Sequence, residues 1–424
     1  MTTQPTPPPI ARRSDDALGI VRLTRDYALI TPLFGGGAEP QQADAATVVR
    51  GSEVRAHLRF WWRAVRGGAF GGDLAKMKAS EDAIWGAPTN LSASQPSGDA
   101  AKPKPPPTVQ LALTVTDRGK KFTVEGRRGR NQGREVHIGA PDSLYGYVAF
   151  PLYQTDKTSF VLEGVKFTLT LTCAKAHLFE VEAALWGWET FGGIGARTRR
   201  GFGALTCTNV SGSRPETPAC AQEWIIDQAI KFEARGQWRA GVPHPLYKQV
   251  RVAPDEFDRA LDAWAYLIEK LRKFRQYRVD KVTGNPNDRG QSVWPEPQEI
   301  RSLVQRKVKA KDAPISGKFP RAAFGLPIIF QFKDAKPVKQ VELTLSQHDR
   351  LASPLILKPL QCASGKSVAL AVLLKTPPLP PDDHLELDGH AVSAQISPAD
   401  AAAIPPLNKN PNVLAAFLAW LMKP

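Results

Sequence analysis

The chain of 424 residues carries 56 Lys and Arg against 41 Asp and Glu, a formal net charge of +15, and that excess points first to nucleic acid as a partner. With 42% hydrophobic residues it has material for a core, and at roughly 100–200 residues per domain it predicts two domains or three. Four cysteines, Cys173, Cys207, Cys220 and Cys362, exclude a disulfide scaffold, and the lack of any C-x-x-C pair argues against structural zinc. The longest apolar run, Val413 to Met422, is about half the length of a spanning helix. No apolar signal region opens the chain, so a cytoplasmic, reducing location and no membrane contact are expected.

In chain order, the proline-rich residues 1–16 read as a disordered tail. Alternation from Ile20 to Thr31 reads as a strand, ended by Pro32 and the glycines Gly35 to Gly37. A Ser-, Ala-, Pro- and Lys-rich stretch at 90–107 reads as a flexible insertion. Arg118 to Arg134 is glycine-rich and basic, and Tyr145–Leu152 and Val165–Thr172 are strand candidates. Leu178, Val181, Leu185 and Trp188 recur at helical spacing within a helix expected over Lys175–Phe191, and a strand is expected over Ala204–Val210. Helices are predicted over Ala221–Arg235, Pro254–Tyr277 and Pro297–Lys309. Lys270 to Lys311 holds twelve Lys and Arg against four acids. Strands return at Leu326–Phe332, Val341–Leu345, Leu355–Leu360 and Val368–Leu374, before an amphipathic helix over Asn412–Met422. Two α+β units joined by a helical basic segment are therefore expected.

Arg50 to Arg66 is the most informative stretch. Ser52 is placed to cap a helix, with Glu53 in its first turn. At about 100° per residue, Val54, Leu58, Trp61 and Val65 form one narrow apolar face, while Arg55, Arg59, Arg63 and Arg66 form an arginine face. Trp62 borders the two, offering a stacking surface, and Trp61 is expected in the core. No acid interrupts the helix between Arg55 and Arg66. Four arginines repel one another unless anions lie among them, so the stripe reads as a phosphate-binding face, or as arginines paired to acids elsewhere in the fold.

Gly192 to Gly203 holds five glycines and three arginines in twelve residues. A dinucleotide fingerprint is excluded, because that motif needs a strand before it and a helix after it. Gly192, Gly193, Gly195 and Gly201 permit positive φ, so that amides converge on an anion while Arg197, Arg199 and Arg200 add charge. Packing alone is the competing reading of those glycines. Ser364-Gly-Lys-Ser367 ends like a P-loop, but position 360 is Leu where that motif needs Gly.

These motifs resemble those of the RAMP superfamily of CRISPR proteins. Ile30 to Ala38, Val49-Arg50-Gly51 and Leu58 to Arg63 are similar to the opening signature of the family of first subunits of the type III-B Cmr complex. Gly192–Gly203 is similar to its glycine-rich loop, and Phe319–Ile328 and Arg350–Leu357 to its C-terminal signatures. The resemblance implies an α+β fold of two ferredoxin-like (RRM-like) domains with helical insertions. The division is then a tail at 1–16, an N-terminal domain at 17–215, a helical basic segment at 216–314 and a C-terminal domain at 315–424. It implies a non-catalytic subunit of an antiviral ribonucleoprotein that contacts guide and target RNA and other RAMP subunits near the guide's 3′ end. The expected RNA-binding set comprises Arg50, Arg55, Arg59, Trp62, Arg63 and Arg66, the named residues of the glycine turn, and Arg321 and Arg350.

A RAMP-type metal-independent nuclease is one rival and a stand-alone RNA-binding protein another. Metal-free RNA cleavage needs a general base, and the candidates are His57, on the flank away from the arginines, and His137, in the basic glycine stretch. Two-metal cleavage needs clustered carboxylates, and neither Asp15-Asp16 nor Asp382-Asp383 looks preorganised. His384 and His390 do not form a metal motif. No chemistry, cofactor or metal is therefore expected.

Overall fold

A computed structural model describes residues 19–35, 47–87, 108–155, 159–305, 317–331, 340–376 and 382–423; the tail expected at 1–16 and the insertion at 90–107 lie outside them. Strand β1 (Ile20–Leu29) turns Tyr27 and Leu29 inward. Helix α1 (Gly51–Arg66) and helix α2 (Leu74–Trp85) follow, then β2 (Gln110–Asp117). A small hairpin, β3 (Val124–Glu125) with β4 (Glu135–Val136), leads to α3 (Gly146–Thr155). Strand β5 (Lys166–Ala174) buries Phe167, Leu169, Leu171 and Cys173 on alternate positions, as a sheet with one covered face requires. Helix α4 (Leu178–Phe191) and strand β6 (Leu205–Cys207) close the unit.

The sheet runs β2-β5-β1-β6, antiparallel at every step. This is a βαββαβ path, with α1 and α4 against the same core as the inward strand residues. The two helices approach closely because Gly187 faces Val65 and Trp61, leaving no room for a side chain. Val54, Leu58, Trp61 and Val65 are all buried, as the helical spacing predicts. Burying an apolar side chain of that size contributes about 1.5–3 kcal/mol.

The second half contains α5 (Ala221–Lys231), β7 (Arg251–Phe257), α6 (Ala260–Arg275) and α7 (Glu296–Gln305). Then come β8 (Ile328–Gln331), β9 (Gln340–Leu345), β10 (Leu355–Gln361), β11 (Ser367–Lys375), β12 (Leu385–Leu387), β13 (His390–Val392) and α8 (Val413–Leu421). One antiparallel sheet runs β7-β11-β10, and a smaller one runs β8-β9-β12-β13. In order, β7, α6, β10, β11 and α8 repeat the first five elements of the βαββαβ path, and β7-β11-β10 keeps the places of β1-β5-β2. The segment 216–314, expected as a helical joint, thus supplies β7 and α6 to the second unit. The decoy Ser364–Ser367 is the β10–β11 turn, where Gly365 has φ +87.

Both units share one core. Trp61, Trp188 and Phe191 belong to the same buried cluster as Ile356, Leu360, Leu370 and Val372. Below it lies a buried polar group: Tyr27 Oη donates to Glu189 Oε1 at 2.5 Å, and Arg25 Nη1 to the same oxygen at 3.2 Å. Lys358 Nζ, from β10, donates to the Glu189 carbonyl. Burial pushes the Lys358 ammonium down to about 7, opposed by Glu189. Burial also raises the Glu189 carboxyl, with Arg25 opposing.

Three sequence expectations need correction. Tyr145–Leu152 is not a strand. Tyr145, Val148, Ala149 and Leu152 lie at helical spacing and are all buried against Phe34, Val161 and Trp264, which favours α3. The helix expected from Pro254 begins only at Ala260, because Pro254 lies where β7 shifts register against β11, between Val252 and Glu256. Ser52 does not cap α1; the cap position is Arg50, whose side chain makes no capping bond, and Glu53 reaches elsewhere.

Candidate nucleic-acid interface

The arginine face of α1 exists, but acids from distant segments meet it. Arg59 Nε donates to Glu81 Oε1 at 2.7 Å, and Arg63 Nη1 donates to the same oxygen. Asp82 lies 3.6 Å from Arg59. Arg66 pairs with Glu180 at 3.0 Å and Glu233 at 3.2 Å. Arg55 donates to the carbonyls of Trp85 and Val109, at 2.9 and 3.1 Å. Of the two readings of the stripe, the geometry therefore matches arginines paired within the fold. Trp62, placed at the border as a stacking surface, is fully buried, and its Nε1 donates to Glu180 Oε2 at 2.6 Å. The helical wheel located it correctly on the flank, but that flank is covered by α4. Arg50 is half-buried at the start of α1.

The glycine turn gathers an anion too, and the anion is internal. Gly195 has φ +80 and its amide donates to Glu53 Oε1 at 2.6 Å. A Cβ there would stand 2.7 Å from Leu33 Cδ1. Gly201, with φ +84, leaves only 2.5 Å between a Cβ and the Trp264 ring, and its carbonyl accepts from Thr31 Oγ1 at 2.6 Å. The carbonyl of Gly193 accepts from Trp188 Nε1 at 3.0 Å, and Gly192 packs on Trp61 and Trp188. Close packing thus requires these glycines, whatever else the turn does.

The arginines of the turn behave differently from those of α1. Arg199 Nη1 donates to the Ser353 carbonyl, and Arg200 donates to the carbonyls of Leu355 and Phe324, each at 3.1 Å. Arg197, in the left-handed region at φ 58, lies over the rings of Phe34 and Phe150, at 5.8 and 5.6 Å. No carboxylate is within ion-pair distance of these three among the described residues. Burial, then Arg275, Arg197 and Arg199 nearby, push Arg200 down to about 9, while Tyr147 opposes. Burial and then Arg350 lower Arg197 to about 10. Both stay protonated at neutral pH, so the cluster keeps its charge.

The second unit adds to this cluster. Arg275, in the last turn of α6, donates to Tyr147 Oη at 2.9 Å, and Arg321 donates to the Arg275 carbonyl at 3.0 Å. Among the described residues, Arg321 is the member of the cluster paired with an acid, Glu296 at 3.2 Å. Arg350 is exposed. Sequence reasoning missed Arg275, Tyr147 and Phe150. The signal available was Arg272, Lys273 and Arg275 closing a helix, together with aromatics three apart at Tyr147 and Phe150.

Both candidate histidines have partners within the fold. His137 accepts the Gly139 amide at Nδ1, 3.0 Å away, and its Nε2 lies 2.8 Å from the Ser159 carbonyl, which occupies both nitrogens. His57 is half-buried, 3.6 Å from Glu53 and stacked towards Trp188. Asp383 is held by Ser346, Gln347 and His348. No metal-holding group of three His, Cys, Asp or Glu occurs among the described residues.

Residues 26–206 match the family model of the RAMP superfamily. The chain is 26% identical over 193 residues to the CRISPR system Cmr subunit Cmr1-2 of Pyrococcus furiosus, covering 42% of this chain and 91% of that protein. It is 22% identical over 168 residues to Cmr1-1 of the same organism, covering 38% of this chain and 41% of that one. The crystal structure of apo Cmr1 from Pyrococcus furiosus is 15% identical at a TM-score of 0.45, over 86% of this chain and 90% of the other. A chain of the type III-B Cmr-beta complex, bound to cognate target RNA and AMPPnP in the presence of single-stranded DNA, is 12% identical at a TM-score of 0.47, over 94% and 98%.

Proposed function

We propose that this chain, a member of the RAMP superfamily through residues 26–206, is a non-catalytic RNA-binding subunit of a type III-B CRISPR effector ribonucleoprotein. Similarity to the two Cmr1 subunits supports the assignment to that complex. In this reading it sits among other RAMP subunits near the guide's 3′ end, helps to capture target RNA in antiviral defence, and works in the cytoplasm. No helix among the described residues is long and apolar enough to cross a membrane. Both sheet units are read as ferredoxin-like, the second without a strand beyond β7 among the described residues.

One observation carries the RNA reading. Arg197, Arg199 and Arg200 converge with Arg275 and Arg350 while their partners are carbonyls, a hydroxyl and aromatic rings. Such a cluster keeps its positive charge and suits a phosphate backbone, and Tyr147 and Phe150 beside it suit bases. Arg199, Arg200 and Arg275 also tie the two units together, so Arg197 and Arg350 are the informative positions. Binding of the full chain to single-stranded RNA is measured across a salt series. The double substitution Arg197→Ala with Arg350→Ala is expected to flatten log K against log salt by about 1.4, at about 0.7 per lost phosphate contact on a single strand. An unchanged slope would show that both arginines are merely solvated.

A further inference from the structure

A cavity of about 480 Å³ opens at the far end of α3 from the arginine cluster, between that helix and the β3–β4 hairpin. Its volume lies within the range of small-molecule sites. Tyr153 and His137 line it, their rings 5.5 Å apart, with Arg128, Asn131 and Asp142. His137 is fixed by its two hydrogen bonds, and the Asp142 carbonyl is tied to the Arg127 amide at 3.0 Å. Asp142 Oδ2 is buried with no hydrogen-bond donor. A buried acceptor in that state is costly and is relieved by a ligand that brings donors.

The cavity is also connected to the proposed RNA surface. Tyr147 bonds Arg275, Phe150 stands 39% exposed beside Arg197, and Tyr153 lines the cavity. These three aromatics follow one another at three-residue steps along α3. They span about 9 Å at about 1.5 Å per residue, the rise of two to three stacked nucleotides at about 3.4 Å each.

We propose that this cavity receives one extruded nucleobase, guanine in preference, from an RNA strand whose phosphates lie on the arginine cluster. Tyr153 supplies the stacking face, Arg128 meets the adjoining phosphate, and Asp142 reads the base edge. A carboxylate only accepts hydrogen bonds. Guanine presents N1–H and the N2 amino group side by side, whereas adenine, cytosine and uracil each set an acceptor beside their donor. The proposal rests on the RNA-binding reading, and extracting a base is easiest from a strand that is already single.

The full chain is titrated with a short uridine-only RNA and with the same RNA carrying one central guanosine. Wild type is expected to bind the guanosine RNA about tenfold more tightly, the discrimination of one bidentate contact. Asp142→Asn and Tyr153→Ala should each remove that difference while leaving the salt slope unchanged. Tyr153→Phe, which keeps the ring, should retain it. Equal binding of the two RNAs by wild type, or a preference that survives both Asp142→Asn and Tyr153→Ala, overturns the base site and leaves RNA binding standing. Wild-type binding to neither RNA overturns the RNA reading and this site with it.

Discussion

Arg59, Arg63 and Arg66 of α1 and the arginines of the glycine turn look alike in the sequence and meet different partners in the fold. Arg55 of α1, which donates to the Trp85 and Val109 carbonyls, sides with the turn. Arg59, Arg63 and Arg66 each face a carboxylate, from Glu81, Glu180 or Glu233. Arg199 and Arg200 face carbonyls, and Arg197 faces two rings. A carboxylate cancels the charge of its arginine; a carbonyl orients a guanidinium and leaves the charge in place. The first cluster is therefore balanced within the fold, and the second keeps the charge on which the proposed RNA reading rests. What distinguishes them is the partner, not the arginine.

The comparison breaks first at Glu81, which serves two arginines at once and is nearly buried. Glu81→Gln is expected to cost about 2–4 kcal/mol in urea unfolding. That is below the about 3–5 of a fully buried pair, because Arg59 and Arg63 keep 22% and 34% exposure. RNA affinity of the folded variant should not fall. A variant as stable as wild type would mean that the stripe is solvated.

Lys358 sharpens the same contrast, because it too meets a carbonyl, but as an amine that can give up its proton. Around it lie Glu189, Arg25 and Tyr27. Its folded pKa of about 7 lies below the ordinary 10.5, so between those values the unfolded chain holds one proton more. Its contribution to stability therefore rises with pH, by up to about 1.4 kcal/mol per unit. Unfolding of Lys358→Met, followed from neutral to mildly alkaline pH, should lack that slope. An identical slope in wild type and variant would refute the assignment. An arginine at the same place would stay charged, which is why arginines suit the glycine turn.

Smaller effects separate the two clusters further. Trp62→Phe loses the bond to Glu180 and should cost about 1.5–3 kcal/mol of stability, with no change in RNA binding, since the ring is buried beneath α4. Weakened RNA binding in a folded Trp62→Phe protein would restore the stacking role. Arg197→Ala loses two ring contacts and should cost about 1–2 kcal/mol, less than Glu81→Gln, while lowering RNA affinity. The reverse pattern would make Arg197 another structural arginine.

Much of the first unit was legible. Val54, Leu58, Trp61 and Val65 read as a buried face and are one, and Leu178 to Trp188 read as a helix, which the fold packs against that face. The second unit was legible only in part. The strands at Leu355–Gln361 and Ser367–Lys375 are near-continuous apolar runs, but β7 is short, contains Pro254 and shifts register, so it reads like the helix that follows it. Tyr145–Leu152 was misread because an apolar run of eight residues fits a strand and a helix equally well, and only packing on Phe34 and Trp264 separates them. For the candidate site, Arg197, Arg199 and Arg200 were visible as a charged glycine turn, whereas Arg275 and Phe150 showed only a basic helix end and an aromatic spacing, and packing alone set them beside the turn.

By itself the sequence determined what is local: the amphipathic face of α1, the helix–turn–strand around Gly192–Gly203, and a positive charge that suits nucleic acid. Helical periodicity and glycine's access to positive φ act within a few residues, so a linear reading captures them. Tertiary structure alone decided which arginines have their charge balanced by a carboxylate. Glu81 lies 18 residues from Arg63, Glu233 lies 167 from Arg66, and the carbonyls that orient Arg200 lie 124 and 155 away. Those separations are bridged by the packing of two sheet units on one core. Electrostatics depends on distance in space, and no spacing along the chain encodes that.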